Sequence, residues 1–254
     1  MRNKSGIFRY PSFYILLSIF ILWIILFGFL LPQNDILPGP GIVLISIPAL
    51  FEDYHFLTNF IITISAIYFP GILAFLFVYS IREYIFKNSG FLKYLIEFVS
   101  QLVGFIPSIL AALLVAYWFR NSFLIEYCFS FLISVLWWMI VLYSAGKKRN
   151  ENYFAAFKSL GANRSFLSKY ILWHEIKPVI FKKLFRFHLN LWLLILIFEF
   201  FENLYGFGTI LKRTIEYNDL SALVLMGIII PFIIFLGYSL IKYLENKYIF
   251  WEAE

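Results

Sequence analysis

Apolar residues in this chain fall in long blocks, without the strict alternation of a half-buried strand. Residues 13–31 are an uncharged apolar run of 19 residues, and at about 1.5 Å per residue such a helix covers nearly all of a roughly 30 Å hydrocarbon core. Further apolar runs occupy 60–81, 94–119, 127–146, 187–204 and 220–241, with short polar or charged stretches between them. Six spanning helices are expected. Strands in lipid leave backbone groups unpaired unless they close into a barrel, and the runs lack barrel alternation, so the fold class is all-α and polytopic. Pro70-Gly71, Pro107 and Pro231 lie inside these runs, where each proline removes a backbone donor and is expected to kink its helix. Arg2, Lys4 and Arg9 precede the first run as in a signal peptide, but the run exceeds an h-region and Leu31-Pro32-Gln33 offers no small-residue cleavage site. An uncleaved anchor is expected.

Composition agrees with the pattern. The chain is 62% apolar and only 14% charged, against about 45–50% and 25% in soluble domains. A net charge of +6 raises the question of nucleic acid, which the placement of the charges answers. With the N-terminus inside, the expected cytoplasmic segments hold 18 of the 21 Lys and Arg, leaving Arg120, Lys212 and Arg213 outside. The first outer loop carries Asp35, Glu52 and Asp53. This is the positive-inside bias of a protein with both termini cytoplasmic, and nucleic acid is excluded as a partner. Cys128 is the sole cysteine, so no intrachain disulfide forms.

The longest cytoplasmic loop, 147–186, holds nearly half of the positive charge and is longer than a plain connector requires. Its pattern predicts a helix over 152–160, with Gly161 as a left-handed C-terminal cap. A second helix from Asn163 through Ile176 is expected to stop at Pro178. The first limb presents Phe154, Phe157 and Leu160 beside the small Ala155 and Ala156. Such a ridge suits a groove on a partner protein, or equally a stretch lying on the membrane surface.

Glu199 and Glu202, three residues apart, share a helical face. A charge at the bilayer centre costs roughly 2.5–3.5 kcal/mol on insertion scales, so neither is expected to face lipid. Both are expected near the outer mouth, either lining a solute path or gate, or pairing with Arg120, Lys212 or Arg213. Phosphate-cradling Gly-x-x-x-x-Gly-Lys-Ser/Thr is missing from the sequence, so no nucleotide cofactor is expected on this chain. His174-Glu175 begins like a metalloprotease helix, but Pro178 stands where the second histidine belongs, and no metal site is expected. His188, at the entrance of the fifth run, reads as an interfacial side chain, and the aromatic residues as packing and belt material.

The segment Ala155-Ala156-Phe157-Lys158-Ser159-Leu160-Gly161-Ala162 resembles the EAA loop of binding-protein-dependent ABC importer permeases, Glu-Ala-Ala, three residues, then Gly. That family places prolines 13 and 17 residues after the glycine, where this chain has His174 and Pro178. Leu37-Pro38-Gly39-Pro40 resembles the Leu-Pro-Ser-Pro motif of the sulfonate, taurine, nitrate and thiamine-precursor group. Ile106-Pro107 with Leu113 to Phe119 resembles its third-span pattern. Glu199 ahead of Gly206-Phe207-Gly208 resembles its glutamate before Gly-Leu-Gly, and Tyr243 to Lys247 with Trp251 its tail.

The resemblance implies a type I ABC importer permease in the bacterial cytoplasmic (inner) membrane. Its implied partners are an ATPase dimer that carries ATP and Mg, a second identical or related permease copy, and a substrate-binding protein. It also implies that Phe154, Ala155, Ala156, Phe157, Leu160, Gly161 and Ala162, with Pro178, couple the spans to the ATPase. Ala155 stands in place of the motif's glutamate and Phe157 in place of its second alanine, which marks a divergent member. The competing reading is a secondary transporter or channel, for which an internal repeat with paired broken helices is expected and not found.

Overall fold

A computed structural model describes residues 11–31, 38–86, 91–105, 108–119, 123–147, 159, 161, 173–202 and 204–249. All regular structure among them is helical. The helices are α1 (Pro11–Ile25), α2 (Pro40–Ile45), α3 (Ile47–Glu52), α4 (Phe56–Ser80), α5 (Arg82–Phe86), α6 (Phe91–Phe105), α7 (Ser108–Trp118), α8 (Phe123–Lys147), α9 (Trp173–Glu202), α10 (Phe207–Glu216) and α11 (Leu220–Tyr248). Four stretches are long and apolar enough to cross a membrane: Phe56–Ser80, Leu124–Lys147, Ile176–Glu202 and Leu220–Tyr248. They correspond to the second, fourth, fifth and sixth expected spans.

Of the other two expected spans, the first takes a different form: in place of one helix over 13–31, α1 gives way to a π-helical turn, Leu26–Leu30, in which Leu31 N–H donates to the Leu26 carbonyl at 2.6 Å. Over the expected 94–119, α6 covers Phe91–Phe105 and α7 Ser108–Trp118, and Pro107 lies outside the described residues. The first outer loop also holds helices not expected from its prolines. Pro40 and Pro48 sit in the first turns of α2 and α3, where a missing N–H costs nothing.

The fifth span differs most. α9 begins at Trp173, well ahead of the expected 187, and runs straight through Pro178. Pro178 therefore does not stop a helix. It lies inside one, where the bond to the His174 carbonyl is forgone, and its ring is buried. His188 consequently sits in mid-helix and is 4% exposed, not interfacial.

The chain divides into two units. In the first, residues 1–56 and 211–230, Tyr54 donates to the Asp219 carboxylate at 3.0 Å. Asp219 Oδ1 accepts the Ala222 N–H at 3.0 Å, capping the start of α11. In the second unit, residues 57–210 and 231–254, α9 packs along α7 and α8. Ala112 and Ala116 of α7 admit the large Phe129 of α8 and Phe198 of α9, whose rings stack at 5.4 Å. A second cluster joins Ala74 and Val78 of α4, Ile85 of α5, Ile96 of α6, Trp138 and Leu142 of α8, and Ile176 and Ile180 of α9. Large apolar side chains such as Ile61, Phe69 and Phe235 stay exposed, as a membrane-facing surface requires.

Candidate functional site

At the end of α9, the chain turns through Gly206-Phe207-Gly208 into α10, and three side chains catch the turn. Asn59 and Thr63, one helical turn apart on α4, and Glu199 of α9 converge there. Gly206 N–H donates to Asn59 Oδ1 at 2.6 Å, Phe207 N–H to Thr63 Oγ1 at 2.9 Å, and Gly208 N–H to Glu199 Oε2 at 2.8 Å. The Thr63 hydroxyl in turn donates to Glu199 Oε1 at 2.6 Å. Three backbone donors that a helix start leaves unpaired are thus satisfied from two other helices. The carboxylate also faces the positive end of the α10 dipole.

Both glycines are required. Gly206 has φ +97°, and a Cβ there would land on the Glu199 carboxyl group; a Cβ at Gly208 would meet the Leu196 carbonyl. The Thr209 hydroxyl closes the turn by donating to the Tyr205 carbonyl at 2.9 Å.

Glu199 is completely buried and Glu202 nearly so, at 2% exposure. Protein of this chain surrounds both carboxyls. A third acid, Glu126 at the start of α8, is equally buried and lies beside Glu199. Of the cations expected as partners, Lys212 bridges Glu216 one turn along α10 at 3.8 Å, and Arg120 lies outside the described residues. Ser130 and Ser134 continue from Glu126 at successive turns of α8, fully buried, with no hydroxyl partner among the described residues. The acids and hydroxyls make a polar strip inside an otherwise apolar bundle, suited to ordering a turn or water. Among the described residues no group of three His, Cys, Asp or Glu is placed to hold a metal.

Of the coupling-loop residues, Phe154, Ala155, Ala156, Phe157, Leu160 and Ala162 lie outside the described residues. Gly161 has φ +81°, the left-handed conformation that suits a helix C-terminal cap. Sequence reasoning missed Glu126, Asn59 and Thr63. Glu126 and Asn59 each fall just ahead of an apolar run, and the repeat of polar residues every fourth position, Glu126, Ser130, Ser134, was the available signal.

Residues 83–250 match a family described as the binding-protein-dependent transport system inner membrane component. No curated protein and no solved structure matches the chain.

Proposed function

The chain belongs to the binding-protein-dependent transport system inner membrane components, the permease subunits of ABC transporters, and from that membership we propose that it carries a small solute inward through the cytoplasmic membrane of a bacterium. A separate ATPase dimer, holding ATP and Mg, supplies the energy, and a binding protein delivers the solute. A second copy of this chain, or a related permease, completes the pathway. In this reading the chain crosses the bilayer six times with both termini inside.

The family match over 83–250 carries this reading, since it takes in the third to sixth expected spans and the whole basic loop between the fourth and fifth. Phe154, Ala155, Ala156, Phe157, Leu160, Gly161 and Ala162 form the peg that the ATPase grips, followed by Pro178 in the first turns of α9. Glu199 shapes the far end of the pathway by holding the α9–α10 turn, with Glu202 buried one turn further along α9, so that both act as part of the gate and not as a solute ligand.

The test is to purify the tagged chain from its native membrane and look for an ATP-hydrolysing subunit at fixed ratio, then to reconstitute the complex in vesicles. Uptake that requires ATP on the loop side supports the proposal. Uptake by this chain alone, driven by an ion gradient, refutes it.

A further inference from the structure

Within the second unit, α4, α8, α9 and α11 enclose a cavity of about 470 Å³. Its walls are apolar: Ile72 and Phe75 of α4, Trp138 of α8, Ile180 and Leu184 of α9 and Leu240 of α11 all line it. Tyr68 and His188 close one end, where α11 approaches so tightly that a Cβ on Gly237 would lie 2.6 Å from Tyr68 Oη and from His188 Cε1. At the other end are Trp173, Tyr248 and Lys177, the one charged residue of the lining among the described residues.

The shape limits the occupant. From Lys177 to His188 along α9 is about 16 Å at 1.5 Å per residue, so the slot is long for its volume. A polar solute would find a single charged group, at the entrance, and apolar walls beyond it. A long, thin apolar body with one anionic end fits both the volume and the charge, and Ile72 and Leu240, which line the slot, are also more than half exposed on the outside of the bundle. The slot therefore reaches the surface where lipid lies. A second cation stands at the Lys177 end, where Lys247 sits 5.8 Å from the ring of the lining Tyr248.

We propose that this slot binds one acyl chain of an anionic phospholipid, with the headgroup phosphate drawn to Lys177. Basic pockets between spans on the positive-inside face recognise anionic headgroups by this chemistry. A chain held there fills a void that would otherwise leave Trp138, Phe75 and Ile180 without contacts on one side.

The experiment uses the purified chain in phosphatidylcholine bilayers doped with phosphatidylglycerol carrying a diazirine at the end of one acyl chain, followed by photolysis and peptide mass spectrometry. Adducts on Phe75, Ile180 and Leu184 should exceed those on the exposed Phe69 and Phe235. Lys177→Gln should lower slot labelling about fivefold, the worth of one lysine at an anionic surface. The same diazirine placed on phosphatidylcholine should label the slot weakly and respond little to that variant. Gly71→Leu extends a side chain into the slot from a position whose Cβ meets nothing nearer than Leu191 Cδ2 and Ser134 Oγ at 4.0 Å, and should abolish slot labelling. Equal labelling of slot and outer faces, or slot labelling unchanged in Lys177→Gln, overturns the proposal. So do cysteine crosslinks joining slot positions of two copies, which would assign the slot to a permease–permease contact.

Discussion

Thr63→Val removes one hydroxyl, keeps the side-chain shape, and strips two hydrogen bonds from the clamp. In the wild type that hydroxyl accepts from Phe207 N–H and donates to Glu199 Oε1. The valine leaves a buried N–H and a buried carboxylate oxygen unpaired. In water-soluble cores each orphan costs about 1–3 kcal/mol. Inside a bilayer the reference state also finds partners, and measured bonds average about 0.6 and reach about 1.7 kcal/mol. Two bonds therefore give about 1–3 kcal/mol, which at 2–4 °C per kcal/mol for chains of this size lowers the melting temperature by about 2–12 °C. Intrinsic tryptophan fluorescence of the purified protein in detergent reads this directly. Thr63→Ser keeps the hydroxyl and should melt within about 2 °C of wild type, losing one methyl of packing. The coupling of Thr63→Val with Glu199→Gln in a double-mutant cycle should exceed about 0.5 kcal/mol, because the two residues share a bond. A Thr63→Val protein that melts with the wild type, or a cycle that sums to zero, would falsify the clamp.

Three further outcomes follow from the same geometry. Glu199→Gln places an amide where a carboxylate faces the Gly208 N–H; complex yield and uptake should fall together, and loss of uptake at full yield would instead mark a residue that touches solute. Gly161→Val puts a β-branched side chain at φ +81°, a region that costs an L-residue about 1–2 kcal/mol; ATP hydrolysis in the reconstituted complex should continue while uptake drops, and normal uptake would detach this turn from coupling. Burial first, then the Asp219 hydrogen bond and the charges of Asp219 and Asp53, raises the Tyr54 phenol from 10.0 to about 12. A folded value above the unfolded one means that Tyr54 adds stability below pH ~10 and loses it as pH climbs toward ~12. Tyr54→Phe should flatten the fall in stability across that window, followed by circular dichroism, and an unchanged slope would sink the assignment.

The spans were legible because hydropathy alone decides which segments lipid accepts, and α4, α8, α9 and α11 all lie on runs marked in the sequence. Their ends were not. Lys177, Lys182, Lys183 and Arg186 read as loop charge, yet they lie on the first turns of α9, where long basic side chains lie along a helix with their charges at the interface. Glu199 was visible as an acid in an apolar run and its glycines as a string. The contact between them was not, since Asn59 and Thr63 lie far away in sequence on a helix that begins before its apolar run does. Glu126 went unseen for the same reason: its partner is on another helix, and no local pattern encodes a pairing between distant segments.

The clamp and the basic loop sit at opposite ends of one uninterrupted element. α9 is 30 residues long, about 45 Å at 1.5 Å per residue, and its apolar flank is fixed by Phe198 and Leu194 against Ala112, Ala116 and Phe129. A displacement delivered near Trp173 has two routes: α9 moves as a body and takes the turn with it, or the turn opens and α9 slides past. Opening breaks the bonds of Asn59, Thr63 and Glu199 to three consecutive N–H groups, about 2–5 kcal/mol at the in-membrane values. Carrying the turn along breaks none of them. Rigid-body movement of α9 together with α4 and the start of α10 is the lower route, and so a chain with so few polar residues in its spans concentrates them at this turn.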